Sequence, residues 1–318
     1  MRIIFLGSPN FAVTCLEKLL ETKHEILCVI TQPDKPGNRG KITPPEVKVF
    51  AEKKGLTVYQ FPKIARDGVD IIKKLKPDIM ITAAYGQILS QEIIDIPHFG
   101  IINVHASLLP RYRGASPVQS AIIAGEKETG ITIMQTEAGL DTGDILAVKT
   151  LEILGTETAG ELMDKLAVVG ASLLVDTLDK IANDDIEKVH QISEQATITT
   201  KIRKEDALLT FQKSALQVKN QILGTNPDPI SYCFINGDMM KVYRARVAEE
   251  MEDSGEVVGT ILAESSPKAG VFVQCGSGIV ELLEVQFPGG KVNSAKTMMG
   301  GRKIKVGDIL QGRIKTDE

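Results

Sequence analysis

The chain has 318 residues, of which 25% are charged and 43% hydrophobic, and its formal net charge is −4. This length suffices for two domains with a sizeable core, and the weak negative charge gives no bulk attraction to nucleic acid. No apolar run reaches the roughly 20 residues that a transmembrane helix needs, so we expect no contact with membranes. The first residues begin a strand and lack a signal-peptide pattern, which predicts a cytoplasmic protein.

Cysteine and histidine are sparse and scattered. The chain has 4 cysteines and 4 histidines, without a Cys-x-x-Cys pair and without the spacing of metal ligands. We therefore expect no metal site, and free thiols are typical of a reducing compartment.

The N-terminal residues predict a β-α-β unit. Residues 2–6 and 25–31 have the composition of buried strands, and the helix between them is expected to begin with Asn10 as its N-cap. Such a unit makes a right-handed crossover in a parallel sheet. A dinucleotide site needs Gly-x-Gly-x-x-Gly, and only Gly7 is present, so the sequence predicts a Rossmann-like sheet that binds no NAD.

A loop at residues 32–45 is rich in proline, glycine and basic side chains. One interpretation is an ordinary surface loop. The other is a flexible basic arm in which Lys35, Arg39 and Lys41 meet phosphates of a large substrate.

Alternating helices and strands continue to residue 186. Strands are predicted at residues 57–61, 78–83, 100–104 and 131–135, with an edge strand or hairpin at 145–154, and helices at 46–54, 68–76, 116–125 and 158–181. The strand at 78–83 ends in the turn Tyr85-Gly86-Gln87-Ile88. We expect a mostly parallel α/β sheet over residues 1–186.

A second domain is predicted after a linker at residues 187–206. Residues 207–318 combine a helix at 214–223 with short strands at 231–235, 240–245, 255–263, 270–275 and 278–285, and a further strand at 307–310. Several short strands with one helix are typical of a small OB-fold-like β-barrel. Arg302 and Lys303 lie in a locally basic segment, which is either a solvated face or a nucleic-acid contact.

The stretch from residue 100 to 144 carries the candidate chemistry. Asn103 and His105 are two residues apart at the carboxyl end of a strand, so their side chains point to the same side. Asp141 lies in a Gly-flanked turn after another strand and can return to that edge, where ligands of open α/β sheets bind. Singly, each residue is more typical of a turn or of the core. Together, an amide donor, an imidazole and a carboxylate suit a reaction in which negative charge grows on a carbonyl oxygen.

These residues carry a family resemblance. Asn103-x-His105, Ser107-Leu108-Leu109-Pro110, Arg113-Gly114 and Asp141-Thr142-Gly143 resemble the signature of 10-formyltetrahydrofolate-dependent formyltransferases. The fuller text, Ser-Leu-Leu-Pro-Arg-Tyr-Arg-Gly-Ala-Ser-Pro-Val-Gln, is similar to the methionyl-tRNA formyltransferase branch of that family, and the likeness extends over nearly the whole chain. Many members have Trp where this chain has Tyr112 and Asp228.

The resemblance implies specific roles. It implies a catalytic trio of Asn103, His105 and Asp141, and a folate pocket formed by two loops. It also implies 10-formyltetrahydrofolate as formyl donor, initiator methionyl-tRNA as acceptor, and no metal. The sequence does not give the oligomeric state, and we expect a monomer. Folate is expected at Tyr85, Gly86, Gln87, Ile88, Ser107, Leu108, Leu109 and Pro110, and tRNA at Lys35, Arg39, Lys41, Arg302 and Lys303.

Three related activities use the same trio: glycinamide ribonucleotide formyltransferase, sugar-nucleotide formyltransferase and formyltetrahydrofolate hydrolase. The predicted C-terminal domain and the basic loop favour tRNA. A non-catalytic RNA-binding module is a different class of alternative, and it leaves the trio unexplained.

Overall fold

The computed structural model describes residues 1–36 and 42–312, which form two compact units. The first unit comprises Met1–Pro117, Glu128–Glu152 and Met163–Thr199, and the second comprises Val118–Lys127, Ile153–Leu162 and Thr200–Glu318. Residues 187–199, part of the predicted linker, thus belong to the first unit. The domain limits at residues 186 and 207 stay a prediction.

The elements up to residue 199 are bounded as follows. The strands are β1 (Arg2–Gly7), β2 (Glu25–Thr31), β3 (Lys35–Pro36), β4 (Ile42–Thr43), β5 (Val58–Gln60), β6 (Ile79–Ala83), β7 (Ile101–His105), β8 (Arg113–Gly114), β9 (Glu128–Gln135), β10 (Ile145–Glu152) and β11 (Ile198–Thr199). The helices are α1 (Asn10–Leu19), α2 (Glu46–Lys53), α3 (Ile64–Asp67), α4 (Val69–Leu75), α5 (Gln91–Ile94), α6 (Pro117–Ala124) and α7 (Ala159–Ala182).

A seven-stranded sheet in the order β10-β9-β7-β6-β1-β2-β5 organises the first unit. The five strands from β7 to β5 run parallel, whereas β9 is antiparallel to both β7 and β10. Ile3, Ile4, Phe5 and Leu6 are all fully buried, which explains why β1 is a continuous apolar run. The predicted Rossmann-like, mostly parallel sheet is confirmed: β9 is its antiparallel strand, and β10 forms the edge beside it.

The first helix corrects one prediction. Helix α1 begins at Asn10, and its N-cap is Pro9, which has an extended backbone and no side-chain cap. The expected role of Asn10 as N-cap was wrong, because proline fixes the backbone angle φ one residue earlier. The apolar face is confirmed, since Phe11, Cys15, Leu16 and Leu19 are buried.

The second unit contains a small β domain. Its remaining elements are α8 (Ala215–Gly224), β12 (Tyr232–Ile235), β13 (Asp238–Val247), β14 (Val271–Gln274), β15 (Ile279–Gln286), β16 (Asn293–Ser294) and α9 (Ala295–Gly300). Strands β12, β13, β15 and β14 are neighbours in that order, all antiparallel, and β16 pairs with β15. Ser214 starts α8 with a capping box, in which its side chain accepts from the Gln217 N–H.

Isolated bridges close this sheet into a barrel. Phe234 of β12 pairs with Gln311, Ile309 pairs with Thr260, and Ile261 pairs with Val273 of β14. The two edge strands are therefore connected, which removes exposed sheet edges. The strand predicted at residues 255–263 was wrong as a regular strand, because Gly255 and Gly259 adopt positive φ (75° and 92°) and interrupt the extended chain.

In residues 1–36 and 42–312, no helix combines the length and apolar character needed to span a bilayer.

Candidate active site

Strands β6 and β7 place Asn103 at the carboxyl edge of the sheet. Thr82 and Asn103 are Cα partners on these neighbouring strands. The Thr82 hydroxyl donates to Oδ1 of Asn103 at 2.9 Å. Since the amide oxygen accepts this hydrogen bond, the Nδ2–H group of Asn103 remains as a donor.

His105 ends β7, and its side chain is only 6% exposed. Its Nε2 lies 3.1 Å from the carbonyl oxygen of Tyr112. A carbonyl only accepts, so Nε2 carries the hydrogen, and in the neutral ring Nδ1 has the lone pair. The Tyr112 carbonyl therefore selects one tautomer of His105.

Asp141 returns to the same place from the turn after β9. Its Oδ2 lies 3.7 Å from Nδ1 of His105. The same oxygen accepts a hydrogen bond of 2.8 Å from the Gly114 N–H. Asp141 has a φ of +51°, in the left-handed region that a residue with a Cβ rarely adopts. The structure thus brings together the three residues predicted from the sequence, although their catalytic roles stay a prediction.

A short parallel pair, β8 with β11, holds the Gly114 N–H in place. Gly114 has a φ of +105°, and a Cβ at this position would lie 2.3 Å from the carbonyl oxygen of Thr199. Thr199 also bonds this segment through its hydroxyl, which donates to the Arg113 carbonyl at 3.0 Å. Only glycine fits this approach, so backbone geometry explains the glycine in the Arg-Gly of the signature.

Gln191 is a buried residue that the sequence analysis missed. Its Oε1 accepts from Nε and Nη2 of Arg113 at 3.0 and 2.7 Å. Its Nε2 donates to the carbonyl oxygens of Asp141 and Gly143 at 3.0 and 2.7 Å. Residues 187–206 have no strong periodic pattern, and the partners of Gln191 lie 48 to 78 residues away from it in the chain. Local sequence therefore contains no signal for them.

The turn predicted to contact folate follows β6. Gln87 donates from Nε2 to the Phe61 carbonyl at 2.9 Å and accepts from the Ile64 N–H at 2.8 Å. Tyr85 is buried, and burial raises the pKa of its phenol. Ile88, in contrast, is 90% exposed and leaves apolar surface uncovered at this edge. Gly86, at a φ of +81°, completes the turn.

The second predicted folate segment, Ser107 to Pro110, follows β7. The Ser107 hydroxyl donates to the Arg111 carbonyl at 2.7 Å, and the Ser107 carbonyl accepts from Thr132 at 2.7 Å. Leu109 is buried, whereas Leu108 and Pro110 are half-buried. The side chains of Ser107 and Gln87 are thus used within the chain, so a ligand here meets mainly backbone groups and apolar surface. Contact of either segment with folate stays a prediction.

The root of the basic loop is held by a polar cluster. Lys48 Nζ lies 2.9 Å from Oδ2 of Asp34, and Gln60 donates to Oδ1 of Asp34 at 2.7 Å. The hydrogen bond from Lys48 is the main cause that lowers the pKa of Asp34. Lys35 is exposed on β3. Arg39 and Lys41 lie outside the described residues.

The two predicted tRNA contacts of the second unit are both exposed. Arg302 has a φ of +59° and Lys303 lies over the Phe287 ring, with Nζ 5.5 Å from the ring centroid. Such a cation–π contact orients the lysine without neutralising its charge.

The comparison with known proteins defines the class. Residues 1–178 match the sequence model of the formyl transferase family, and residues 201–303 match that of the formyl transferase C-terminal domain. The chain therefore belongs to the formyl transferase family.

Within residues 1–36 and 42–312, no three His, Cys, Asp or Glu side chains are grouped so that they could hold a metal ion.

Individual relatives narrow the class. A methionyl-tRNA formyltransferase of Acetivibrio thermocellus is 45% identical over 312 residues, which cover 98% of this chain and 99% of that protein. A second methionyl-tRNA formyltransferase, of Geotalea daltonii, is 42% identical, with 98% of each chain covered.

Solved structures share the fold. The sugar 3N-formyl transferase WlaRD, crystallised with dTDP and 5-N-formyl-THF, superposes with a TM-score of 0.65 at 19% identity and covers 92% of this chain and 99% of its own. HypX of Aquifex aeolicus in complex with tetrahydrofolic acid has a TM-score of 0.66 at 16% identity, and the match covers 96% of this chain and 48% of HypX.

Proposed function

We propose that the protein transfers the formyl group of 10-formyltetrahydrofolate to the α-amino group of methionine on initiator methionyl-tRNA. The observation that carries the proposal is the approach of Asp141 Oδ2 to within 3.7 Å of His105 Nδ1, beside Asn103 at the carboxyl edge of the sheet. The full-length similarity to methionyl-tRNA formyltransferases supports the choice of substrate.

The proposed reaction forms one bond and breaks one. The amine nitrogen bonds to the formyl carbon, the bond from that carbon to N10 breaks, and one proton passes from the amine to N10. During the attack negative charge grows on the formyl oxygen. The Nδ2–H of Asn103 donates to that oxygen, a role worth about 3 kcal/mol by analogy with oxyanion-hole donors.

His105 moves the proton in this scheme. Because its Nε2–H is engaged with the Tyr112 carbonyl, Nδ1 is the atom that can take a proton from the amine. The resulting imidazolium faces the Asp141 carboxylate, which stabilises its charge, and His105 then passes the proton to the departing N10. The amine attacks directly, so the scheme needs no serine or cysteine nucleophile.

The described residues are compatible with a folate site at this edge. A pterin requires apolar faces and a few polar groups. Exposed Ile88 supplies apolar surface, and the loop at residues 107–110 follows the adjacent strand. In the part of the chain that the structure describes, and apart from its chain neighbours, a Cβ at Gly86 would have one atom within 4 Å, Nε2 of Gln32 at 3.5 Å. The turn therefore leaves room for a flat ring to approach the backbone.

The tRNA acceptor is supported by two features. The closed barrel of the second unit presents Arg302 and Lys303, and the polar cluster around Asp34 fixes the root of the basic loop. We also propose that the protein works in the cytoplasm as a monomer, where its 4 free cysteines stay reduced.

One assay tests the proposed function. Radiolabelled 10-formyltetrahydrofolate is offered with methionyl-initiator tRNA, with methionyl-elongator tRNA, and with small amines, including a glycinamide ribonucleotide and an amino sugar nucleotide. We expect label only on methionine of the initiator tRNA. Label on a small amine, or release of formate without transfer, would replace this proposal with a related activity.

A further inference from the structure

We propose that Gln191 is a positioning residue, whose side-chain amide sets the Asp141 carboxylate against His105. The inference rests on the proposed function, and it concerns how the site is assembled. Gln191 touches none of the reacting groups in the scheme above, so its effect must act through Asp141.

The Gln191 amide links two loops. Its oxygen accepts two hydrogen bonds from the Arg113 guanidinium, and its nitrogen donates to the carbonyls of Asp141 and Gly143. Gln191 is 3% exposed and Arg113 is 7% exposed. Both ends of the amide are therefore used in a buried setting, where a lost hydrogen bond is costly.

The turn needs such support. Asp141 occupies the left-handed region at a φ of +51°. A residue with a Cβ stays there only when the surrounding contacts hold it. Two contacts do so: Gly114 N–H bonds Oδ2 of Asp141, and Gln191 bonds its carbonyl oxygen. Without the second, Asp141 is expected to relax to negative φ, and its carboxylate turns away from His105.

The chemistry of the site specifies an amide. One atom must accept from a guanidinium while the other donates to two carbonyl oxygens. Glutamate keeps an oxygen that accepts from the guanidinium, but it places its second carboxylate oxygen against the two carbonyl oxygens. Methionine has a similar shape but lacks both the amide oxygen that accepts and the N–H group that donates. These two substitutions therefore separate the hydrogen bonds from the packing.

The test compares Gln191→Met and Gln191→Glu with Gln195→Met, a matched control at an exposed glutamine four residues away. For each protein, kcat and KM for methionyl-tRNA are measured, together with the dissociation constant of 5-formyltetrahydrofolate. We expect kcat to fall roughly 100-fold in both Gln191 variants, because a small misplacement of a catalytic group has that effect. In the Gln191 variants, KM and the folate dissociation constant should stay within about twofold of the wild-type values. In Gln195→Met, kcat should also stay within about twofold of the wild-type value.

A spectroscopic measurement tests the geometry without the reaction. In ¹⁵N-histidine-labelled protein, the ring nitrogens of His105 are assigned by the loss of signals in His105→Gln. In Gln191→Met they should shift toward the positions found in Asp141→Ala, while Gln195→Met should match the wild type. If methionine prevents folding, Gln191→Glu is measured in the same way.

Two results would overturn the inference: unchanged His105 signals in a folded Gln191 variant, or a kcat loss equalled by the loss of folate affinity. Failure of the wild-type protein to formylate tRNA would instead refute the proposed function. The His105 spectra would then still report whether Gln191 positions Asp141.

Discussion

The Thr82→Val variant tests how the Asn103 amide is oriented. Valine keeps the shape of threonine and removes only the hydroxyl that donates to Asn103 Oδ1 at 2.9 Å. A neutral hydrogen bond contributes about 1 kcal/mol, which corresponds to a loss of roughly fivefold in kcat when the bond only orients the donor. Removing the donor itself, in Asn103→Ala, should cost about 3 kcal/mol, or roughly 100-fold or more.

Single-turnover formylation of methionyl-tRNA gives the rate for each variant and for the double variant. If Thr82 acts only through Asn103, Thr82→Val has no further effect in the Asn103→Ala background, and the coupling energy is about 1 kcal/mol. Thr177→Val is the matched control, because its buried hydroxyl donates to the Leu173 carbonyl within α7. Additive losses in the double variant, or an equal loss in the control, would refute this account of the amide.

Three further predictions concern the basic loop and the thiols. Arg39 lies outside the described residues. In Arg39→Ala, the plot of log kcat/KM for tRNA against log salt concentration should become less steep by about one, whereas Lys74→Ala, at an exposed lysine, should leave its slope unchanged. Identical slopes in the wild type and Arg39→Ala would show that Arg39 does not contact tRNA. Lys48→Met should raise KM for tRNA without changing folate affinity. The Lys48 hydrogen bond lowers the pKa of Asp34, so the ion pair between them is present at neutral pH. The stabilisation from this ion pair is lost only as the pH falls through the lowered pKa of Asp34. A KM for tRNA that changes between pH 6 and 8 in the wild type but not in Lys48→Met would contradict this role of the ion pair. Burial raises the pKa of all four thiols to about 12, so a disulfide reagent at pH 8 should modify them only after unfolding, and rapid labelling of native protein would contradict their burial.

The parallel sheet and the site residues on β7 were predictable because they depend on local rules. Apolar residues in short runs between glycines and helices define buried strands, and the two-residue period fixes Asn103 and His105 on one face. The Gly-flanked turn around Asp141 indicates a reversal, and the right-handed β-α-β rule places the strand ends at one edge.

The support of the site was not predictable, because it is long-range. Gln191 reaches Arg113 across 78 positions of the chain, from a segment that resembles a polar linker. The hydroxyl of Thr82 is also unremarkable in a strand of the core. Both become informative only when β6 and β7 are paired and residues 187–199 return to the first unit.

One strand of the barrel could not be predicted correctly from the local composition of the sequence. Residues 255–263 contain enough valine and isoleucine for a strand, but two glycines with positive φ break the run into single bridges. These bridges still close the barrel, so the prediction of a small β domain holds although one of its strands does not.

The most direct test is the single-turnover formylation rate of Asp141→Ala, measured at saturating 10-formyltetrahydrofolate with initiator methionyl-tRNA. Since Oδ2 of Asp141 lies 3.7 Å from His105 Nδ1, we predict a rate lower by orders of magnitude, with folate affinity close to that of the wild type. A normal rate in this variant would contradict the central claim that the carboxylate, the imidazole and the amide form one catalytic group.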